Sequence, residues 1–585
     1  MLRGHDRARP WGEAISILQS PRLRSRGLLL LTAMAACLVV ASTWRVFGNA
    51  WDEPEHLAAG MVLLDRDLYL YDNQHPPLAR LAAAIGPRLA GADLPDKPSP
   101  FGEEAGRQIL YHSHASYDTL LDLARAGMLP FLFVLVFAQW YWLRANAGEA
   151  EAWLALGFVL STPAILGHAG FVAVDVPVTA MCVLAFQAMQ RWLEHPTLRR
   201  CLWLGVACGL AISTKISALP FLALTGLAWL ATLLLLRRQE SRPQAPPPWG
   251  RWLGGGTLAL LVAVVVAVAV YGPRLVYLTT PDLQPSRALD LVAGSTGWLH
   301  DAVYHWAARV PVPLGVQELP LAILGVEWHN EHGHLAYLLG ETSWHGWWYF
   351  YPVALAVKTP LPLLLAGLAG FVLLARRGWR ERQLGLLAAP VAFVVILLFC
   401  CFYSHINIGV RHVLVLYPLL AIGAAAFVAW CWRKARALPR MAAGLARAAV
   451  LGLLAWQAAI LALAYPDYLA YFNATAGEHP ETILVDSDLD WGQDLRRLSQ
   501  ELARRNVQSL YLAYRGTADL TREGLPPFQP LVPTKPVSGW IAIDMLSLKE
   551  GRGDLGWLTA HAPVMRVGKS IDLYYLPDGA APAGP

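Results

Sequence analysis

Long apolar runs separated by short polar connections fill most of this 585-residue chain. A helix that crosses a membrane needs about 20 mostly apolar residues, so the runs predict about 11 transmembrane helices. Only Thr214 and Lys215 separate the short run 201–214 from the next one, so these two runs are also compatible with one broken element. The predicted spans are 27–47, 126–143, 152–170, 172–192, 201–214, 216–236, 254–271, 350–375, 384–402, 412–432 and 444–464.

The distribution of arginine predicts how these helices are oriented. Arginines are concentrated in residues 1–26 and then in alternate connections between the runs, and cytoplasmic loops carry such an excess of positive charge. We therefore expect a basic cytoplasmic leader at 1–26 and a transmembrane domain at 27–465. The same rule places the long polar loops 48–122 and 272–348 and the tail 466–585 on the outer side.

The tail has a different pattern from the rest of the chain. Short apolar stretches predict strands at 482–488, 509–514, 539–545 and 564–576, and leucines at helical spacing predict a helix at 491–505. The predicted fold class is thus a polytopic α-helical membrane protein with a small C-terminal α/β extracytoplasmic domain.

Composition and charge exclude several classes of function. The chain is 56% hydrophobic and only 15% charged, whereas soluble proteins carry about 25% charged residues. This excludes a soluble multidomain enzyme, and the net charge of +5 without a basic domain gives no reason to expect a nucleic-acid partner. Because the inner loops are short and the outer segments long, we expect the chemistry on the outer side, without a nucleotide.

Acidic residues at the outer ends of helices are the first candidates for that chemistry. Asp52 and Glu53 follow the first predicted span, and Asp175 lies at the outer end of the fourth. A carboxylate near the membrane is costly and usually functional, and a partly desolvated one can take a proton from a hydroxyl. The alternative is a solvated helix end or a helix cap.

Basic residues at the same level are candidates for binding a phosphate group. Helix amides and arginine bind phosphate, while the alternative is a cation that reaches lipid headgroups. The candidates are His75, Arg80, Lys215, Arg274, Arg411 and His412.

Three histidines in the second outer loop suggest a divalent metal ion. His329, His332 and His334 lie within six residues, beside two glutamates, and imidazole is a common metal ligand. Their spacing matches no standard zinc motif. A metal ion is therefore one expectation for this loop, and a polar loop without metal is the other.

The acidic pair Asp52-Glu53 after the first span, and the turn His75-Pro76-Pro77-Leu78 followed by Arg80, resemble the GT-C membrane glycosyltransferases. Within that superfamily the pattern is similar to the protein O-mannosyltransferases and to the aminoarabinose transferases of lipid A. Asp175 resembles the second acidic position of the same family.

The resemblance implies a GT-C-like fold in a bacterial inner membrane and a sugar donor linked to polyprenyl phosphate. It implies that Asp52 is the general base of an inverting transfer at the outer, periplasmic face. A protein, a lipid and a polysaccharide all remain open as acceptors. The alternative function is a transporter or flippase of a lipid-linked sugar.

Overall fold

The structure is a computed structural model that describes residues 21–97, 99–238, 248–278, 297–551 and 555–578, with the side chains of residues 21–24 left aside. Most of the predicted leader 1–26 therefore lies outside the described residues, as do parts of the linker 237–253 and of the loop 272–348.

Every predicted apolar run falls on a helix, or on two helices joined by a break. Long side chains without β-branches favour these helices, and prolines begin or interrupt several of them. In chain order these helices are Pro21–Ala41, Leu129–Asn146, Glu149–Leu160 with Pro163–Ala169, Asp175–Glu194, Leu198–Ile212, Ala218–Arg238, Trp249–Ala269, Phe350–Lys358 with Leu361–Glu381, Leu384–Tyr403, Leu416–Ala435 and Arg440–Ala464.

The chain is a multi-pass membrane protein. Among the described residues, eight helices are long and apolar enough to cross a membrane, and nine if the bent pair Glu149–Leu160 and Pro163–Ala169 forms one span. The helix Leu198–Ile212 has 15 residues, about 22 Å at 1.5 Å per residue, and is therefore short for a span. Asp175–Glu194 carries polar side chains towards its inner end.

Small residues allow two of the membrane helices to approach closely. Gly370 of Leu361–Glu381 faces Gly423 of Leu416–Ala435, and a Cβ added at Gly370 would lie 1.8 Å from the Gly423 carbonyl oxygen. Small residues at such crossings bring helix backbones together and increase van der Waals packing, which drives association within lipid.

The two long outer loops are themselves folded. The first contains helices, and the second contains helices and two short antiparallel strand pairs. The helices of the first loop are Glu53–Arg66, Leu78–Leu89, Gly102–His112 and Tyr117–Ala126, and the described elements of the second are Leu275–Val276, Trp298–Ala307, Val312–Pro313, Leu314–His332, Ala336–Leu338 and Glu341–Ser343.

The tail forms a five-stranded mixed sheet with helices on both faces. Its strands are β1 (Leu510–Ala513), β2 (Phe528–Pro530), β3 (Gly539–Asp544), β4 (Met565–Val567) and β5 (Ile571–Leu576), and their spatial order is β2-β1-β3-β5-β4. Strand β1 is parallel to β2 and β3, whereas β5 is antiparallel to β3 and β4. The carboxyl ends of β1 and β3 therefore lie at the same edge of the sheet.

Two features explain how this domain packs. The helix Leu495–Arg504 buries Leu495, Leu498 and Leu502 against one face of the sheet, as its leucine spacing predicted.

The strand predicted at 482–488 is wrong: this segment forms 3-10 turns at Pro480–Thr482 and Asp486–Asp488. The backbone of this segment is hydrogen-bonded to the membrane domain instead of the sheet: Leu339 N–H donates to the Ile483 carbonyl at 3.0 Å.

Replacing Gly370 by alanine should destabilise the protein by about 1–3 kcal/mol, because the added methyl group overlaps the backbone of the facing helix. The thermal melting temperature in detergent should fall. Gly452→Ala is the matched control, since a Cβ at Gly452 meets nothing within 4 Å and alanine favours a helix. Equal melting temperatures for the two variants would contradict this account of the packing.

Candidate active site

Asp52 lies where the first membrane helix gives way to the first outer helix, and the tail domain holds the segment that precedes it. Gly48 N–H donates to the Gln493 carbonyl at 3.0 Å, and Trp51 N–H donates to the Trp491 carbonyl at 2.9 Å. The Thr517 hydroxyl donates to the Trp51 carbonyl at 2.8 Å. The tail therefore positions the backbone from which Asp52 projects.

Asp52 is the outermost member of a line of alternating charges. Its carboxylate accepts a hydrogen bond from Arg411 Nη1 at 2.5 Å, and the same nitrogen lies 3.8 Å from the Asp175 carboxylate. The other oxygen of Asp175 accepts from Lys215 Nζ at 2.7 Å. The side chain of Asp52 is 24% exposed and that of Asp175 1% exposed, so the line runs inward from an accessible carboxylate.

Several polar atoms along this line are buried and have no hydrogen-bond partner within the described part of the chain. They are Arg411 Nε, His412 Nε2 and one carboxylate oxygen of Asp175. Buried polar groups normally have partners, and leaving one without a partner costs about 1–3 kcal/mol. These atoms therefore offer donors and an acceptor to a bound molecule.

Hydrogen bonds to the tail domain hold the segment that carries Arg411. The Asp488 carboxylate accepts from the Val410 amide at 3.1 Å, and the Ser487 hydroxyl donates to the Ile408 carbonyl at 2.5 Å. The Arg411 guanidinium lies 4.6 Å from the centre of the Trp491 ring, an arrangement that stabilises the cation. Sequence reasoning missed this function of 486–491, whose density of aspartates was the available signal.

A further tail carboxylate lies near the line of charges. Burial raises the pKa of Asp486 to about 6, against the opposing influence of the Arg411 charge. The nearby charge of Asp52 also raises it. The protonation of Asp486 is therefore linked to the charges of Arg411 and Asp52.

Glu53, the second acidic candidate after the first span, lies in a closed pocket. Its carboxylate is buried and accepts four hydrogen bonds: two from Arg125 at 2.8 Å, one from the Ala50 amide at 2.7 Å and one from the Val172 amide at 2.8 Å. With both oxygens used, Glu53 joins the first outer helix to the loop before Asp175. Arg125, which fills the same pocket, was not singled out from the sequence.

Arg80 and His75, predicted to bind a phosphate, both contact Asp72. Arg80 is fully buried and donates to His56 Nδ1 at 3.1 Å, to the Tyr69 hydroxyl at 3.0 Å and to the Asp72 carboxylate at 3.0 Å. His75 contacts that same Asp72 carboxylate through Nδ1. This buried network anchors the turn before the second outer helix instead of presenting cations to a ligand.

Arg274 lies away from this site. It is exposed, and it donates to the carbonyls of Arg66 and Asp67 at 3.1 and 3.4 Å. Those carbonyls end the 14-residue helix whose first residues follow Asp52, and a helix of that length measures about 21 Å. The structure therefore places Arg274 as a cap on the far end of that helix and does not bring it together with Asp52.

The three histidines considered as metal ligands do not converge. His329 and His334 lie 3.2 Å apart between ring nitrogens, whereas His332 stacks on Trp328 with ring centres 4.3 Å apart. Among the described residues no group of three or more His, Cys, Asp or Glu side chains is placed to hold a metal ion. Among the described residues the three histidines therefore do not form one site.

Replacing Arg125 by methionine should destabilise the protein by about 3–5 kcal/mol, because it leaves the Glu53 charge buried without its partner. The melting temperature in detergent and the yield of monodisperse protein should both fall. Arg377→Met is the control: it breaks an exposed ion pair with Glu381, worth less than about 1 kcal/mol. If Arg125→Met melted at the same temperature as the control, the buried Glu53 carboxylate would not need Arg125 as its partner.

Part of the chain matches a known protein family. Residues 66–277 match the family model described as dolichyl-phosphate-mannose-protein mannosyltransferase. The matched segment contains Asp175 and Lys215 and begins after Asp52. No match was found among the curated proteins.

Several solved structures have a similar overall arrangement. ArnT from Cupriavidus metallidurans, in a crystal structure with undecaprenyl phosphate, is 12% identical over 95% of this chain and 99% of that chain, with a TM-score of 0.43. The oligosaccharyltransferase AglB from Archaeoglobus fulgidus, in complex with an inhibitory peptide and a dolichol-phosphate, is 13% identical over 95% of this chain and 75% of that chain, with a TM-score of 0.47. At these scores the likenesses assign no role to any residue.

The family match and the arrangement of helices agree with the motifs around Asp52 and His75. Over residues 66–277, the family match confirms the resemblance to the protein O-mannosyltransferases.

Proposed function

We propose that this protein transfers a sugar from a polyprenyl-phosphate donor to an acceptor hydroxyl, with Asp52 as the general base. The observation that carries the proposal is the line Asp52–Arg411–Asp175–Lys215, in which an accessible carboxylate adjoins two cations. The description of the matching family, which names a lipid-phosphate-linked sugar donor, supports the same class of donor.

The cations provide the site for the donor phosphate. Lys215, Arg411 and His412 lie around Asp175, and Arg411 and His412 each have a buried nitrogen without a protein partner. Hydrogen-bond donors fixed in advance around a leaving phosphate stabilise the negative charge that grows on it during the reaction. Asp175 holds Lys215 and Arg411 in position, so we assign it a positioning role.

Asp52 is placed to receive the proton. As the acceptor oxygen attacks the anomeric carbon, that carbon forms its new C–O bond and loses its bond to the phosphate oxygen of the carrier. The hydroxyl proton passes to Asp52, and the carrier phosphate leaves with the bonding electron pair. Attack from the face opposite the phosphate inverts the configuration of the anomeric carbon. A phosphate at Arg411 also competes with Asp52 for that cation and so frees the carboxylate to act as a base.

The proposal places this reaction at the outer face of a bacterial inner membrane, with the amino terminus cytoplasmic and the tail domain periplasmic. The alternation of arginine-rich connections supports this orientation. The division into a leader at 1–26, a membrane domain at 27–465 and a tail domain at 466–585 is part of the same proposal.

Asp52→Asn should lower the rate of sugar transfer by at least about 100-fold, because asparagine cannot take the proton. Binding of the donor should remain close to that of the wild type. Release of free carrier lipid from a polyprenyl-phosphate sugar, measured in detergent, gives the rate. Asp65→Asn is the control, because Asp65 belongs to the same outer helix but pairs with Arg88 at the surface.

Near-normal turnover in Asp52→Asn would remove this residue from the role of base. If the wild type moved a lipid-linked sugar across liposomes without releasing free carrier lipid, the transporter or flippase would replace the enzyme.

Lys215→Met should weaken binding of a polyprenyl monophosphate by about 10- to 100-fold, since a hydrogen bond to a charged group contributes about 1.5–3 kcal/mol. Lys215→Arg should restore part of the affinity. Lys434→Met, at an exposed lysine of the opposite membrane face, is the control. Unchanged affinity in Lys215→Met, with a melting temperature near that of the wild type, would place the phosphate elsewhere.

A further inference from the structure

A cavity of about 640 Å³ lies between the tail domain and the second outer loop. Its floor is the edge of the sheet where the parallel strands β1 and β3 end, and includes Ala513 and Ile543. Its other wall includes His334 and Trp344 of the outer loop. The volume is in the range of ligand sites, and the carboxyl ends of parallel strands are where ligands bind in α/β sheets.

One side of the cavity is polar and incompletely paired. Arg515 Nη1 donates to one oxygen of Glu550 at 3.2 Å, while the other oxygen of Glu550 is buried and has no hydrogen-bond partner among the residues that the structure describes. The Glu550 side chain is 2% exposed. Burial, and then the nearby charge of Asp486, raise the pKa of Glu550 to about 8. Near neutral pH this carboxyl group therefore keeps its proton and can both donate to and accept from a hydroxyl.

The cavity lining also includes an exposed aromatic side chain. Trp344 of the outer-loop wall is 52% exposed. The face of an aromatic ring carries partial negative charge and so attracts the weakly positive C–H groups on one face of a sugar ring. A lining that combines such a ring with hydroxyl-binding polar groups is complementary to a saccharide, which has an apolar face and a polar rim.

The cavity adjoins the line of charges at Asp52. Burial, and then the charges of Arg411 and Arg515, lower the pKa of His334 in its wall, while the charge of Asp52 raises it. On the floor, Arg515 lies two residues before Thr517, whose hydroxyl donates to the Trp51 carbonyl at 2.8 Å. The carboxyl end of β1 therefore connects the cavity with the residue that precedes the proposed base.

The geometry favours a saccharide over an extended peptide. A peptide that binds a sheet pairs its backbone with an edge strand, and the edge strands of this sheet are β2 and β4. The cavity instead lies at the ends of the central strands β1 and β3, where backbone pairing of that kind is not offered.

We propose that this cavity binds a saccharide and that its occupant is the acceptor whose hydroxyl faces Asp52. The role as acceptor rests on the proposed transfer reaction, whereas saccharide binding itself does not. The acceptor is accordingly a glycan or the sugar portion of a glycolipid.

Binding of methyl glycosides of glucose, galactose and mannose, and of their disaccharides, to the full-length protein in detergent tests this proposal by saturation-transfer NMR. At least one saccharide should bind the wild type. Trp344→Ala should weaken that binding by about 10-fold or more, and Arg515→Gln should also weaken it. Trp249→Ala is the matched control, since Trp249 is 47% exposed and begins a membrane helix at its inner end. Binding should persist in Asp52→Asn.

Absence of binding by the whole panel, equal binding by Trp344→Ala and the control, or saturation of the cavity by a serine-containing peptide in place of saccharides would each overturn the proposal. Release of carrier lipid is measured separately. If release fails while Trp344-dependent saccharide binding holds, the transfer reaction fails and the saccharide site stands. If release holds without saccharide binding, only the cavity assignment fails.

Discussion

The ion pair between Asp52 and Arg411 is the interaction on which the arrangement of the site depends. An aspartate at the end of the first membrane helix and an arginine 359 residues later lie 2.5 Å apart. Charges near a membrane are stable only when they are paired or reach water. This pair, continued inward through Asp175 and Lys215, satisfies that condition and keeps one carboxylate accessible.

The tail domain is part of the site because it holds both ends of this pair. Its residues 491–493 bond to the backbone before Asp52, and Asp488 bonds to the backbone before Arg411. The carboxyl edge of its parallel strands faces the same region, through Thr517. The tail domain therefore determines where Asp52 and Arg411 meet, and it supplies the floor of the neighbouring cavity.

Residues of like charge have different functions in this structure, and the difference follows how far each side chain is exposed to solvent. Asp52 keeps access to solvent and one partner, whereas the adjacent Glu53 accepts four hydrogen bonds in a closed pocket. Among the cations, Arg411 retains a nitrogen without a protein partner, whereas Arg80 is enclosed by Tyr69, His56 and Asp72. A charged side chain whose hydrogen-bonding atoms all have partners stabilises the fold, whereas one with an atom left without a partner can bind a ligand.

The sequence by itself determined the membrane helices, the folded tail and the helix ends that carry Asp52, Asp175 and Lys215, because apolar length and helical periodicity are local properties. It also indicated the superfamily, through short motifs in the first outer loop. Only the tertiary structure decided which charges are paired internally, since the partners of Glu53 and Arg80 come from other helices and loops. The segment 482–488, predicted as a strand, forms turns whose residues are hydrogen-bonded to the segment before Arg411. Contacts with a distant segment outweigh a weak local preference for strand.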